Sequence, residues 1–227
     1  MSIASARGVT RDYQQGQLTV RALRGVDLDI EPGEFTALMG PSGSGKTTLL
    51  NLIGGLDVPT SGTIHVDGRA LDQMSPRELS DLRRDRIGFV FQSYNLIPVL
   101  SAYENAEFVM LLQGRSAADR RERVMRTLKE VGLEGMEHRR PGELSGGQQQ
   151  RVAVARAIAG QPALVLADEP TANLDSATGT ELVELMQRLN RELGITFVFS
   201  THDPKVMEAA SRVVRLVDGR IAEDERR

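Results

Sequence analysis

The stretch Gly40-Pro41-Ser42-Gly43-Ser44-Gly45-Lys46-Thr47-Thr48 constrains this chain more than any other. It follows the apolar run Phe35-Thr-Ala-Leu-Met39 and leads into Leu49, Leu50, Leu52 and Ile53, so it reads as a strand, a glycine-rich loop and a new helix. The pattern G-x-x-x-x-G-K-[ST] is complete, and strand-loop-helix is the setting it requires. Glycines let successive backbone N–H groups turn inward. The helix start adds its own unpaired N–H groups and the positive end of its dipole. Lys46 can then reach β- and γ-phosphates, and the Thr47 hydroxyl is placed to ligate Mg²⁺. A bare glycine turn would not need a lysine and a threonine directly after its last glycine. The expectation is a nucleoside-triphosphate site.

With 227 residues, 40% hydrophobic and 26% charged, the chain suits one globular domain or a core carrying a subdomain. It has no cysteine, which excludes disulfides, thiol nucleophiles and cysteine zinc sites. The net charge of −3 gives no general attraction to nucleic acid or to an anionic membrane. Residues 1–7 lack a basic segment followed by an apolar one, so no signal peptide is expected. No window approaches the roughly 18 consecutive apolar residues of a membrane span. A role at a membrane would therefore need a partner to hold the chain there.

Along the chain, Leu18–Leu23 and Val26–Ile30 alternate apolar with polar residues and read as extended. Thr63–Val66 and Ile87–Phe91 read as further strands, the second ending at Gln92. Ser75-Pro-Arg-Glu78 has the form of a capping box with proline at the first helical position. From 93 to 161 no strand is expected. Helices are predicted over 101–113, over 116–131 with Ser116 and Asp119 capping, and from Gly146 to Gly160. In the second of these, Glu122/Arg126 and Arg126/Glu130 are (i, i+4) pairs and Gly132 is the stop. Alternation then resumes with strands at 163–167, 195–200 and 213–217 and helices at 177–193 and from Pro204. Leu182, Leu185, Met186, Leu189 and Leu193 form one apolar stripe. The last residues, 223–227, are expected to fray. Apolar strands with helical crossovers argue a parallel sheet covered on both faces. The expected organisation is an α/β nucleotide-binding core, 1–92 and 162–227, carrying a helical insertion at 93–161.

Leu164-Val-Leu-Ala-Asp168-Glu169 is an apolar strand ending in two acids. At the C-terminal edge of a parallel sheet both carboxylates face the phosphates. Asp168 suits Mg²⁺ held through its water shell, and Glu169 suits a general base acting on the attacking water. His202 ends another apolar strand. Alone it would count as structural; beside the phosphate loop and the acids it is expected at the γ-phosphate. His65 and His138 are read as structural or surface residues. Ser145-Gly146-Gly147-Gln148 opens a helix, with Ser145 as N-cap and glycines that allow close approach, so it is a second helix start able to receive phosphate. Whose phosphate it receives, these residues leave open.

Gly40 to Thr48, Gln92, Leu144 to Gln148, Leu164 to Glu169, Asn173-Leu-Asp175 and His202 occur in the order and spacing of the nucleotide-binding subunits of ABC transporters, which this chain resembles from about Gly8 to Gly219. The Leu-Ser-Gly-Gly-Gln signature carries most of that specificity. The resemblance implies a P-loop NTPase (RecA-like) core with an antiparallel β subdomain and an inserted α-helical subdomain. It implies a head-to-tail dimer, with ATP and Mg²⁺ between one subunit's phosphate loop and the other's Ser145, Gly146, Gly147 and Gln148. Gln92 would sense Mg²⁺ and water, Asp175 would bridge the sites, and Tyr13, a tyrosine in a polar loop, would match the aromatic that stacks on adenine. Gln149 and Ala172 depart from the commonest pattern, and neither removes a ligand.

Gly54-Gly-Leu-Asp57, Phe91 to Pro98 and Leu166 to Asp175 are similar to one subgroup, the ATPases of lipoprotein-releasing Lol systems, MacB-type macrolide pumps and FtsE. The resemblance implies a separate permease of the FtsX/MacB type, docked against 93–107 through Tyr94, Leu96, Ile97, Pro98 and Leu100. It implies a place on the cytoplasmic face of the inner membrane, peripheral through that permease. Non-transport ABC ATPases acting on nucleic acid or ribosomes carry long insertions, zinc sites or paired ATPase domains, none of which this sequence has.

Overall fold

The computed structural model describes residues 2–227; Met1, the first residue of the stretch read for a leader, lies outside them. Two sheets make the framework. The strands β1 (Ala4–Gln15), β2 (Leu18–Ile30), β4 (Ser61–Val66) and β5 (Arg69–Ala70) form an antiparallel sheet in the order β2-β1-β4-β5. The larger sheet is six-stranded, built from β3 (Phe35–Met39), β6 (Ile87–Phe91), β7 (Leu164–Asp168), β8 (Thr196–Ser200), β9 (Arg212–Val217) and β10 (Arg220–Arg226). Its order is β10-β9-β3-β8-β7-β6, with every pairing parallel except β9 with β10.

Alternation along the parallel strands sends side chains to two cores. Ala37, Val165, Ala167, Phe197 and Phe199 belong to one apolar cluster, whereas Leu38, Leu164, Leu166 and Val198 belong to the other. The first cluster takes in α3 (Ala102–Leu112), α4 (Ala117–Glu130), α5 (Gly146–Ala159), α6 (Ser176–Leu193) and the short α7 (Pro204–Ala209). The second takes in α1 (Lys46–Ile53), α2 (Pro76–Arg86) and the antiparallel sheet. A sheet apolar on both faces thus has helices on one side and a mixed layer on the other.

Local chemistry sets the helix starts. Ser75, Ser101 and Ser145 each accept an N–H from the third helical residue, and Glu78, Glu104 and Gln148 return the bond to the cap. Ser116 accepts from the Asp119 N–H, and Gly194 ends α6 in the left-handed region.

Several expectations need correction. Residues 4–15 are a strand, so Tyr13 lies on β1 and not in a loop. The C-terminal residues do not fray: β10 pairs with β9, and Arg212–Asp224 and Arg215–Glu223 ion pairs join the two strands. β10 is rich in charged residues and has weak apolar periodicity, because ladder bonds and cross-strand pairs hold it. Leu193, expected in the buried stripe of α6, is 51% exposed, since the helix ends there. On α4, Arg126 lies 3.8 Å from Glu130, while no Glu122–Arg126 pair is present among the described residues.

Candidate active site

The register of the parallel sheet brings the C-terminal ends of four strands together. Leu38 pairs with Ser200, Ser200 with Asp168, and Asp168 with Phe91. Gly40, His202, Glu169 and Gln92 therefore follow strands that end at one edge, the edge where open α/β sheets bind ligands. A cavity of about 680 Å³ opens there. Its lining includes Gly40, Pro41, Ser42, Gly43, Gly45, Lys46, Thr47, Thr48, Gln92, Glu169 and His202.

The loop before α1 is shaped to leave donors free. Gly45 caps the helix at φ 104°, a conformation that disfavours a side chain, and a Cβ there would lie 2.6 Å from the Ala22 carbonyl. No side chain caps α1 and no acid sits in its first turn, in contrast to the serine-capped helices. Lys46 is 8% exposed, and its Nζ donates to the Gly40 and Pro41 carbonyls at 2.8 and 3.0 Å. Ser44 is buried with an unpartnered hydroxyl.

Opposite the loop stand the acids. The Thr47 hydroxyl donates to Asp168 Oδ1 at 2.9 Å. Glu169 sits at φ 46°, a strained value for a residue with a side chain, and its N–H is tied to the Ser200 carbonyl. One carboxylate oxygen, Oε1, lies 2.8 Å from His202 Nδ1; the other, Oε2, is buried without a partner. An ionised Glu169 makes Nδ1–H the donor. A neutral ring then has no proton on Nε2 to give to a phosphate, so serving both groups requires the imidazolium. Thr47, Asp168 and Gln92 offer hydroxyl, carboxylate and amide oxygens, the hard donors that suit Mg²⁺ sharing its shell with phosphates and water.

Other predicted residues lie elsewhere. Tyr13 is not in the cavity lining, although its cross-strand partner Val20 is. The Tyr13 hydroxyl donates to Asp57 at 2.7 Å, and the Arg11 guanidinium lies 4.5 Å over its ring. Burial works against the Asp57 carboxylate, yet the bonds from Tyr13, the Val58 N–H and Arg11 hold its pKa below the usual range. Ser145, Gly146, Gly147 and Gln148 also lie outside the lining. Asp175 is the N-cap of α6, accepting from the Ala177 and Thr178 N–H groups and from the Thr178 hydroxyl. Those bonds, the hydroxyl's foremost, hold its carboxyl below the ordinary value. Sequence reasoning missed Val20, Arg21 and Ala22, which line the cavity from β2. Only the sheet pairing could have found them.

A second cavity of about 390 Å³ lies beside α2, α3 and α5. Leu56, Phe89, Phe91, Leu112 and Arg156 contribute to it, and of the expected docking segment 93–107 only Asn95 does. Leu96 packs against the core, while Val99 is 71% exposed. No helix among the described residues is long and apolar enough to cross a membrane.

Residues 23–172 match the ABC transporter family. The lipoprotein-releasing system ATP-binding protein LolD of Anaeromyxobacter dehalogenans is 50% identical over 218 residues, covering 96% of this chain and 91% of its own. The macrolide export ATP-binding/permease protein MacB of Syntrophobacter fumaroxidans is 47% identical over 221 residues; these are 96% of this chain but only 31% of that larger protein. The ATP-binding cassette MJ0796, solved as a dimer in a post-hydrolysis state bound to ADP and Pi, superposes with a TM-score of 0.90 at 44% identity over 98% of each chain. The chain belongs to the ABC transporter ATP-binding family, and it is an ATPase with that family's P-loop fold.

Proposed function

We propose that the chain is the ATPase subunit of a transporter whose permease is a separate membrane protein of the FtsX/MacB type, and that two copies pair head-to-tail around ATP. Lys46 and the amides of residues 40–48 take the phosphates of one nucleotide. Tyr13 stacks on the adenine, swinging from Asp57 to do so. Thr47, Gln92 and, through water, Asp168 would hold Mg²⁺, which would supply neutralisation of phosphate charge. Glu169 accepts the proton of the attacking water, oriented by His202, and the chemistry is in-line attack on the γ-phosphate. Ser145, Gly146, Gly147 and Gln148 of the second copy close the site, with Asp175 bridging the two. Glu169, His202, Lys46 and Gln92 are thus the catalytic set.

The observation that carries this reading is a division within one chain. Phosphate loop, Glu169 and His202 line one cavity, with Asp168 bonded to Thr47 beside it, while the residues of the signature helix start lie outside that lining. Its proposed location is the cytoplasmic face of the inner membrane, peripheral through the permease, with the groove beside Leu56, Phe89 and Leu112 receiving a permease segment.

Complementation tests the shared site. Lys46→Ala chains and Ser145→Arg chains should each be folded and nearly inactive. Mixed, about a quarter of the wild-type ATPase per dimer should return, because half of randomly mixed dimers pair the two variants and each of those holds one intact site of two. Two folded variants that regain nothing on mixing would refute the paired site.

A further inference from the structure

Directly after Gln92 the backbone turns through two consecutive residues with side chains in the left-handed region, Tyr94 at φ 59° and Asn95 at φ 50°. Such residues persist only where their surroundings hold them. Here the Tyr94 N–H donates to the Phe91 carbonyl and the Asn95 N–H to the Ser93 carbonyl, and one distant side chain takes the carbonyls of both residues. Arg156, near the end of α5, donates from Nη2 to the Tyr94 carbonyl at 2.8 Å and from Nη1 to the Asn95 carbonyl. No carboxylate among the described residues pairs with it, and burial lowers its pKa. An arginine left half-buried with only carbonyls for company is unusual enough to need a reason.

Further bonds from α5 and from the loop before α6 surround the segment. Gln150 of α5 is buried and donates to the Pro170 carbonyl at 2.9 Å and more weakly to that of Phe91 at 3.4 Å. Asn173 donates to the Gln92 carbonyl at 2.9 Å. The Tyr94 hydroxyl lies where a Cβ on Gly146 would come within 2.9 Å, against the first residue of α5. The helix that opens with the signature thus grips the segment that carries Gln92 into the nucleotide cavity.

We propose that Arg156 is a positioning residue for hydrolysis: by clamping the left-handed turn at Tyr94 and Asn95, it fixes Gln92 at the nucleotide. The guanidinium also lines the second cavity, beside Asn95 and Phe91. The proposal rests on the nucleotide-site reading above.

The test uses the full chain and four variants: Arg156→Met, Arg156→Lys, Gln92→Ala and the Arg156→Met/Gln92→Ala pair. Arg156→Met should lower kcat at least about tenfold, a plausible effect of misplacing one group by an ångström. The Kd for a fluorescent ATP analogue should stay within about twofold, and Arg156→Lys should recover part of kcat. Amide exchange should rise at 91–97 and not across the parallel sheet. In the Gln92→Ala background Arg156→Met should add little further loss, because the two act through one group. Multiplying losses in the double variant would overturn the proposal. So would a kcat unchanged in Arg156→Met, or kcat, nucleotide affinity and whole-chain exchange protection falling together. A wild-type chain that bound no nucleotide would instead sink the site assignment itself.

Discussion

Gly147→Ala gives a test whose size can be worked from the structure. A Cβ at Gly147 would lie 2.4 Å from Thr178 Cγ2 at the start of α6. Unstrained carbons stand about 3.5–4.0 Å apart, so something must give by more than about 1 Å. Thr178 can rotate away only by releasing its hydroxyl from Asp175 Oδ2, a bond of 2.6 Å to the α6 cap. Overpacking of this kind costs about 1–3 kcal/mol. Replacing glycine by alanine in a helix returns up to about 1 kcal/mol, less at its first turn. The net expectation is a loss of about 1–2 kcal/mol, read as a lower urea midpoint with no nucleotide present. Thr178→Ser removes the clashing methyl and keeps the hydroxyl. In the double variant most of the loss should vanish, a coupling of about 1 kcal/mol. If Thr178→Ser restored nothing and the two effects simply added, the contact would not be the cause.

Further outcomes are expected elsewhere. Glu169→Gln preserves size and the contact with His202 but cannot take a proton; kcat should fall at least about 100-fold. With ATP this variant should run as a dimer by light scattering, and a persistent monomer would count against the paired site. Arg212 is 4% exposed and bonded to Asp224 and Glu34, so Arg212→Met should destabilise by about 3 kcal/mol in urea melts at pH 7. The hydrogen bonds from Arg212 depress the Asp224 pKa in the fold. The resulting stability is present above the unfolded value of about 4 and is lost as pH falls through the lower folded value. The gap between wild type and Arg212→Met should therefore narrow below about pH 4, and a constant gap would exclude the linkage. Arg21 lines the cavity at the phosphate loop, and among the described residues its one ion pair, with Asp12, is long at 3.9 Å. Arg21→Ala should weaken fluorescent-ATP binding about threefold at low salt and less at high salt, as a rim charge would.

The P-loop strand, its glycines and α1 were legible because each position carries a backbone demand that few residues meet. The serine caps were legible for the same reason, since Ser75 and Glu78 satisfy each other over four residues. What the sequence concealed was held by distant partners. Strand β1 depends on ladder bonds to β2 and β4, and its Arg7, Arg11 and Asp12 look like loop residues until their neighbours are known. Val20, Arg21 and Ala22 reach the cavity only because β2 runs beside it. Tyr13 was named only by resemblance, and its bond to Asp57 spans 44 residues with no local pattern to announce it. The hold of Arg156 on Tyr94 is similarly remote, across 62 positions.

The β9–β10 ribbon at the end of the large sheet bears on how the protein behaves when concentrated. A sheet of apolar parallel strands with a bare rim would be a template for a neighbouring copy to add itself, strand upon strand. Here that rim is Arg-Ile-Ala-Glu-Asp-Glu-Arg, whose charges repel like strands and whose Glu223 and Asp224 are already paired with arginines of β9. Strand addition at this edge is therefore blocked, and apolar replacements at Glu223 and Glu225 would remove that protection.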